Sequence, residues 1–440
     1  MFMKILFIIL FCHHVLSETQ ILTSDGPVVG SNKNAVDIRT GNTVTWTQFN
    51  AIPYAAPPTG ELRFYPPQPV EEWTEPRYVD DDSLTICPQL ILGALYPRSS
   101  EDCLYLTVHV PSSVSGVLPV MVWIHGGGFM TGDGTPQSFG PQYFMSHEVI
   151  MVTINYRLGP LGFLSLGNEE IPGNMGQLDQ IAALQWVQKN IENFGGDPEQ
   201  VTIFGQSAGA FASTYHLYSP QSRGLFKRVI AQSGVAGFAP SFHHHQEDDA
   251  VRYGNNAALI LGCLLPDNRV QCLREKSVYA IQNLDILEEL ISQPSIDESL
   301  SDSYLPLNPI DAIKTGNYQT DIDVMIGFNE DDGLLITQFF LPAPDIYEVL
   351  KEAWGVLGPF ALFQKHHTEI TDQDRLVSAE ILNHYIDDIG IENLSPDNFW
   401  NVTDMFTDSF FIFGNHYFLQ QHLEHSTGRT FQYRFSYKVS

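Results

Sequence analysis

Val201-Thr202-Ile203-Phe204 runs without a spacer into Gly205-Gln206-Ser207-Ala208-Gly209 and then into Ala210-Phe211-Ala212. The first stretch reads as a short buried strand and the last as the start of a helix. A turn this tight leaves no room for large flanking side chains, and Gly205 and Gly209 stand at the flanking positions. The arrangement fixes strand, turn and helix in that order and holds Ser207 out at the carboxyl end of the strand. The same rhythm continues elsewhere. Val117 to His125, Val149 to Tyr156, Lys227 to Gln232 and Asp323 to Gly327 also read as buried strands. Within Leu178 to Phe194, residues Ile181, Leu184, Val187, Ile191 and Phe194 recur at spacings of three and four. That spacing predicts an amphipathic helix, ended by Gly195 and Gly196. Buried strands alternating with helices predict an α/β fold, a mostly parallel twisted sheet with helices on both faces.

The region from about 235 to 320 is less regular and reads as a cap or insertion over the sheet. No internal repeat is visible. His243, His244 and His245 form a patch that reads as a solvated loop, because no spaced partner ligand accompanies it. Against 22 Lys and Arg stand 51 Asp and Glu, a formal charge of −29. A nucleic-acid partner is excluded by that balance, since phosphate contacts need clustered cations. After residue 20 no apolar run is long enough for a membrane span, which takes about twenty residues.

Met1 to Ser17 reads as a secretory signal peptide. Lys4 supplies the charged end, Ile5 to Cys12 the apolar run, and Val15 and Ser17 the small residues before a cut at Glu18. The expected organisation is therefore residues 1–17 as signal and 18–440 as one secreted domain. Cys87, Cys103, Cys263 and Cys272 would remain after the cut, as two pairs close in sequence. Local bridges Cys87–Cys103 and Cys263–Cys272 are favoured among the three pairings that four cysteines allow. Nothing has the CxxC spacing of a zinc site. Asn401-Val402-Thr403 is an N-glycosylation acceptor for such a secreted chain, and Asn393 is weakened by Pro396.

Ser207, in G-x-S-x-G between a strand and a helix, reads as a nucleophile. His125-Gly126-Gly127-Gly128-Phe129 follows another strand directly. Its glycines let backbone N–H groups turn toward a ligand, so Gly127 and Gly128, with the Ala208 amide, make a candidate oxyanion hole.

Here the chain resembles the type-B carboxylesterases and cholinesterases of the α/β-hydrolase fold. The matching blocks include Ile52-Pro53-Tyr54-Ala55, Glu101-Asp102-Cys103-Leu104-Tyr105-Leu106, the His125 to Phe129 loop, Asn155-Tyr156-Arg157, Phe194-Gly195-Gly196-Asp197-Pro198 and Phe204 to Gly209. What the resemblance implies is a secreted serine hydrolase of carboxylic esters with the same two local disulfides and no metal or organic cofactor. It also implies a triad acid just before the glycine of Phe328-Asn329-Glu330-Asp331-Asp332-Gly333, which is Asp332. Asp in this position is similar to the bile-salt-activated lipase branch, where most members use Glu; Glu330 and Asp331 compete for the role. Ser233 reads as a buried supporting hydroxyl.

Family order places the base His on a loop beyond the last strand, here Thr430 to Tyr437. No such segment appears by Ser440, so the His loop and a final helix are expected to be missing, leaving apolar sheet surface bare. His384, His416, His422 and His425 precede that strand and read as surface histidines. Two expectations follow. One is an incomplete or alternatively ended form of an active esterase; the other is an inactive relative with an adhesion or binding role, as in the neuroligin class. Between Cys87 and Cys103 there is no Trp, and Gln206 stands where cholinesterases resembling this chain carry Glu. A quaternary ammonium would lose both its aromatic face and its anion. General carboxylic esters or neutral lipids are therefore the expected substrates.

Overall fold

The computed structural model describes residues 19–91, 93–112, 116–237, 244–284, 292–340, 345–363, 370–386 and 390–437. The expected signal segment Met1 to Ser17 and His243 lie outside the described residues. Ten strands form one sheet: β1 Thr19–Leu22, β2 Pro27–Val36, β3 Thr43–Pro53, β4 Tyr105–Pro111, β5 Leu118–Ile124, β6 Ile150–Ile154, β7 Gly196–Gln206, β8 Arg228–Gln232, β9 Asp323–Asn329 and β10 Thr430–Phe435. Their order is β1-β2-β3-β4-β6-β5-β7-β8-β9-β10. From β6 to β10 every neighbouring pair is parallel, while β1 to β4, and β4 on β6, are antiparallel. The parallel block is the part the apolar runs predicted.

Alternation sorts the two faces of this block. Val122, Ile203, Val229 and Val324 stand in register across β5, β7, β8 and β9, and each is at most 1% exposed. They belong to the main core together with helix α1, Met175–Asn190, and helix α2, Ala208–Tyr215. The opposite row runs Trp123, Phe204, Ile230, Met325 and Phe431. Phe139 and Phe144 pack over its buried end at Trp123 and Phe204, whereas Met325 and Phe431 are exposed.

Helix α1 starts a turn before the periodicity predicted. Its Asn174 N-cap is held in the left-handed region at φ 57° by tertiary bonds, its side-chain amide donating to the Ser295 carbonyl at 2.7 Å and to Asp297 at 3.1 Å. A local pattern of apolar residues carries no trace of such partners. The helix is tied to the end of β6 through a buried ion pair, Arg157 on Asp179 at 2.7 Å. The 235–320 region is more helical than expected, with Glu247–Ile260 its longest piece. Helices α3 Asp345–Phe363, α4 Asp372–Tyr385, α5 Phe399–Thr407 and α6 Phe413–His425 follow β9 and precede β10. Helices α3 to α5 share a second apolar cluster with Phe328 of β9. Both local disulfides are present, Cys87–Cys103 and Cys263–Cys272.

Candidate active site

Strand β7 ends at Gln206 and helix α2 begins at Ala208, so Ser207 alone makes the turn. It does so at φ 56° and ψ −126°, a conformation that side chains rarely adopt. Its N–H donates to the Gln232 carbonyl at 2.9 Å, which fastens the turn to the end of the neighbouring strand. The two glycines are needed sterically. A Cβ on Gly205 would lie 2.4 Å from Gly209 backbone, and one on Gly209 would lie 2.0 Å from the Ile124 carbonyl oxygen. Helix α2 can therefore sit this close to β5 and β7 only with glycine at both places.

The loop after β5 folds over this turn. A Cβ on Gly126 would meet the Gln206 carbonyl oxygen at 2.4 Å and Ser207 Cβ at 3.2 Å. Gly127, Gly128 and Phe129 have φ of 109°, 64° and 61°, so successive peptides curl instead of extending. Phe129 is fully buried and its carbonyl accepts from the Gly159 N–H at 2.8 Å, which pins the far side of the curl. Among the described residues, the Gly127, Gly128 and Ala208 amides make no hydrogen bond.

Asp332 lies in the turn after β9, and its carboxylate collects three donors. The Ser233 hydroxyl donates to Oδ2 at 2.7 Å, the Asn329 N–H to Oδ2 at 2.8 Å, and the Asn329 side-chain amide to Oδ1 at 2.6 Å. Ser233 directly follows β8, whose Gln232 carbonyl holds Ser207, so acid and serine share one strand end. Glu330, a rival for the acid role, instead pairs with Arg434 on β10 at 2.8 Å. Asn329 was not anticipated from sequence, and no local signal in the sequence singles it out.

The histidines before β10 divide. His416 and His384 are exposed, as expected. His422 is not a surface residue: it is fully buried, stacks on Phe418 with centroids 5.1 Å apart, and bonds the Tyr318 hydroxyl through Nδ1 at 2.8 Å. Burial pushes its imidazole down to about 4. The reason for the correction is spacing, since His422 falls four residues after Phe418, on the helix stripe that faces the core. His425 bonds the Lys314 carbonyl at 3.0 Å. Among the described residues, no histidine is hydrogen-bonded to Ser207 or Asp332. Nor does any group of described residues have the makings of a metal site.

Beside the turn lies a cleft of about 540 Å³, lined by Phe204, Gln206, Ile230, Ser233, Met325 and Tyr433 among others. Burial, with the Asp332 charge adding to it, raises the Tyr433 hydroxyl above its ordinary range. A larger cavity of about 940 Å³ opens between the 237–310 segment and the helices after β9, with Leu362, Ile381, Met405 and Phe413 in its wall. Asn401 stands in α5 with its side-chain amide donating to the Tyr385 carbonyl at 2.8 Å, and Thr403 is fully buried. A glycan on Asn401 would have to break that bond.

Residues 17–440 match the profile of the carboxylesterase family. The chain is 36% identical to a juvenile hormone esterase of Tribolium castaneum, over 82% of this chain and 64% of that protein. It is 34% identical to a carboxylic ester hydrolase of Bombus ignitus, over 82% of this chain and 65% of that protein. Against the para-nitrobenzyl esterase of Bacillus subtilis it is 38% identical, over 74% of this chain and 65% of that protein. The chain therefore spans somewhat under two thirds of the length of these relatives. A match over nearly all its residues, on the sheet and the serine turn described above, makes this chain a member of the carboxylesterase family.

Proposed function

We propose that the chain is the nucleophile- and acid-bearing part of a secreted serine hydrolase of carboxylic esters. One observation carries this reading: Ser207 sits at φ 56° on a glycine-flanked turn, against a glycine loop whose Gly127 and Gly128 amides make no hydrogen bond among the described residues. Ser207 attacks the ester carbonyl, and the Gly127, Gly128 and Ala208 amides receive the oxyanion. Asp332 is the carboxylate that orients a histidine base and balances its charge. Collapse of that tetrahedral adduct breaks the bond to the alcohol, which leaves with the proton the base took from Ser207, and the acyl-enzyme that remains on Ser207 is hydrolysed by water.

Neutral esters are the proposed substrates, general carboxylic esters or neutral lipids. Gln206, exposed at the cleft mouth, offers no anion to a quaternary ammonium. Secretion is supported by the Met1 to Ser17 pattern and by two disulfides, which persist in oxidising compartments.

A second reading, an inactive member with a binding role, is favoured by one observation, the lack of a histidine bonded to Ser207 or Asp332 among the described residues. Without that base the oxyanion site alone gives a residual rate of roughly 10³–10⁴-fold over water. A fluorophosphonate probe separates the readings. The esterase reading expects labelling of Ser207 that a Ser207→Ala chain lacks. Absence of labelling, in a chain also supplied with a downstream histidine loop, would leave the binding role.

A further inference from the structure

We propose that His125 is a positioning residue of the oxyanion site, its Nδ1–H holding the Gly126 carbonyl so that the following amide, that of Gly127, is turned toward Ser207. The inference rests on the esterase reading above and goes beyond it by giving a side chain the task of orienting the backbone donor.

His125 is 1% exposed, and its Nδ1 lies 2.8 Å from the Gly126 carbonyl oxygen. A carbonyl can only accept, so Nδ1 carries the proton and Nε2 is the bare nitrogen. Burial pushes the imidazole down to about 4, which keeps the ring neutral and this tautomer in place at neutral pH. Nε2 has no hydrogen-bond partner among the described residues, so the bond to Gly126 is the ring's single polar anchor there. The ring lies flat on Tyr156, with centroids 4.3 Å apart, and the Tyr156 hydroxyl donates to the carbonyl of His125 itself at 2.8 Å.

In a trans peptide the C=O and N–H point in opposite directions, and every described peptide bond is trans. Holding the Gly126 oxygen against the imidazole therefore sends the Gly127 N–H the other way. The neighbouring glycines make such a hold necessary, because a Gly-Gly-Gly backbone resists peptide rotation poorly. Gly132 closes over the contact: a Cβ there would stand 2.4 Å from His125 Nδ1 and 2.5 Å from the Gly126 oxygen. Gln89 clamps Gly132 from outside, its amide donating to the Gly132 carbonyl and accepting from the Gly132 N–H, both at 2.9 Å. The same Gln89 amide reaches the carbonyl of Cys87, so the frame continues into the Cys87–Cys103 disulfide.

Asn and Gln substitutions separate this role from plain packing. Asn carries its amide nitrogen where His carries Nδ1; Gln carries it farther out, and Leu has no donor. In the full 440-residue chain acting on 4-nitrophenyl acetate, His125→Leu and His125→Gln are expected to lower kcat about 10²-fold with KM nearly unchanged. His125→Asn is expected to restore most of that loss, with urea midpoints reporting that each variant is folded. A ¹⁵N-histidine spectrum of the unsubstituted chain gives a second readout that survives a misfolded variant: a protonated Nδ1 is expected, and a protonated Nε2 would overturn the proposal. Equal kcat in the parent and a folded Leu variant would also overturn it, leaving the esterase reading intact. A chain also supplied with a downstream histidine loop that neither hydrolyses the ester nor takes a fluorophosphonate at Ser207 would overturn the esterase reading, and this proposal with it.

Discussion

Ser207, the proposed nucleophile, shows how a single residue stores conformational cost. Its φ of 56° is one that a non-glycine side chain holds only under constraint, at a cost of about 1–3 kcal/mol. Ser207→Gly is therefore expected to raise the urea midpoint, with a gain in unfolding free energy of up to about 1 kcal/mol after the entropy of the added glycine, while abolishing acylation. A midpoint that falls would contradict the strain. The buried histidines act at the same scale. His422 and His125 are pushed down to about 4, and His109 and His216 to about 3, in each case mainly by burial. In the unfolded chain these groups take up protons near 6.5, before the folded ones do. The contribution of these four groups to stability is therefore full above pH 6.5 and is lost as pH falls from there toward about 3. Chemical denaturation across that range is expected to show the decline, and His422→Asn to flatten part of it.

At the scale of elements, legibility tracked how local the cause was. Buried parallel strands and the serine turn were readable because their apolar runs and glycine spacing lie within a few residues of one another. Asp332 is proposed as the acid through resemblance alone, since Glu330 and Asp331 are equally acidic in sequence. Glu330 and Asp332 differ in their partners: Arg434 on β10 takes Glu330, while Ser233 after β8 and the nearby Asn329 bond Asp332. The antiparallel strands β1 to β4 went unread because polar residues interrupt the apolar pattern, at exposed positions in β1 to β3 and as the buried Thr107 and His109 in β4. His422 was misread because a histidine near a chain's last strand suggests surface chemistry, whereas its helical phase put it in the core. The serine turn itself makes a firm prediction. Gly209→Ala must push helix α2 off the Ile124 carbonyl and is expected to cost about 3 kcal/mol or more in urea unfolding, with loss of ester cleavage. A neutral effect would show that the close approach of helix and strand is dispensable.

For the whole molecule, two surface properties follow from the same sheet. Net charge of −29 repels anionic esters at long range, so added salt should help them more than neutral ones. The row of Ile230, Met325 and Phe431 loses its cover toward β10, where Phe431 and Phe435 are each about half exposed. Exposed apolar surface of this kind binds hydrophobic dyes and promotes association. Dye fluorescence is expected to drop in a Phe431→Lys, Phe435→Lys chain without a change in fold, and unchanged fluorescence would place the dye elsewhere. No helix among the described residues is long and apolar enough to cross a membrane.

All of this converges on one bond, between Ser207 Oγ and the acyl carbon of an ester. The acyl-enzyme on Ser207 is the species that reports this bond directly. Intact-mass and peptide mass spectrometry after incubation with 4-nitrophenyl acetate is the direct measurement. The predicted result is a single acetyl group on the peptide containing Ser207, absent from Ser207→Ala. Acetyl on another residue, or ester cleavage equally fast in Ser207→Ala, would contradict it.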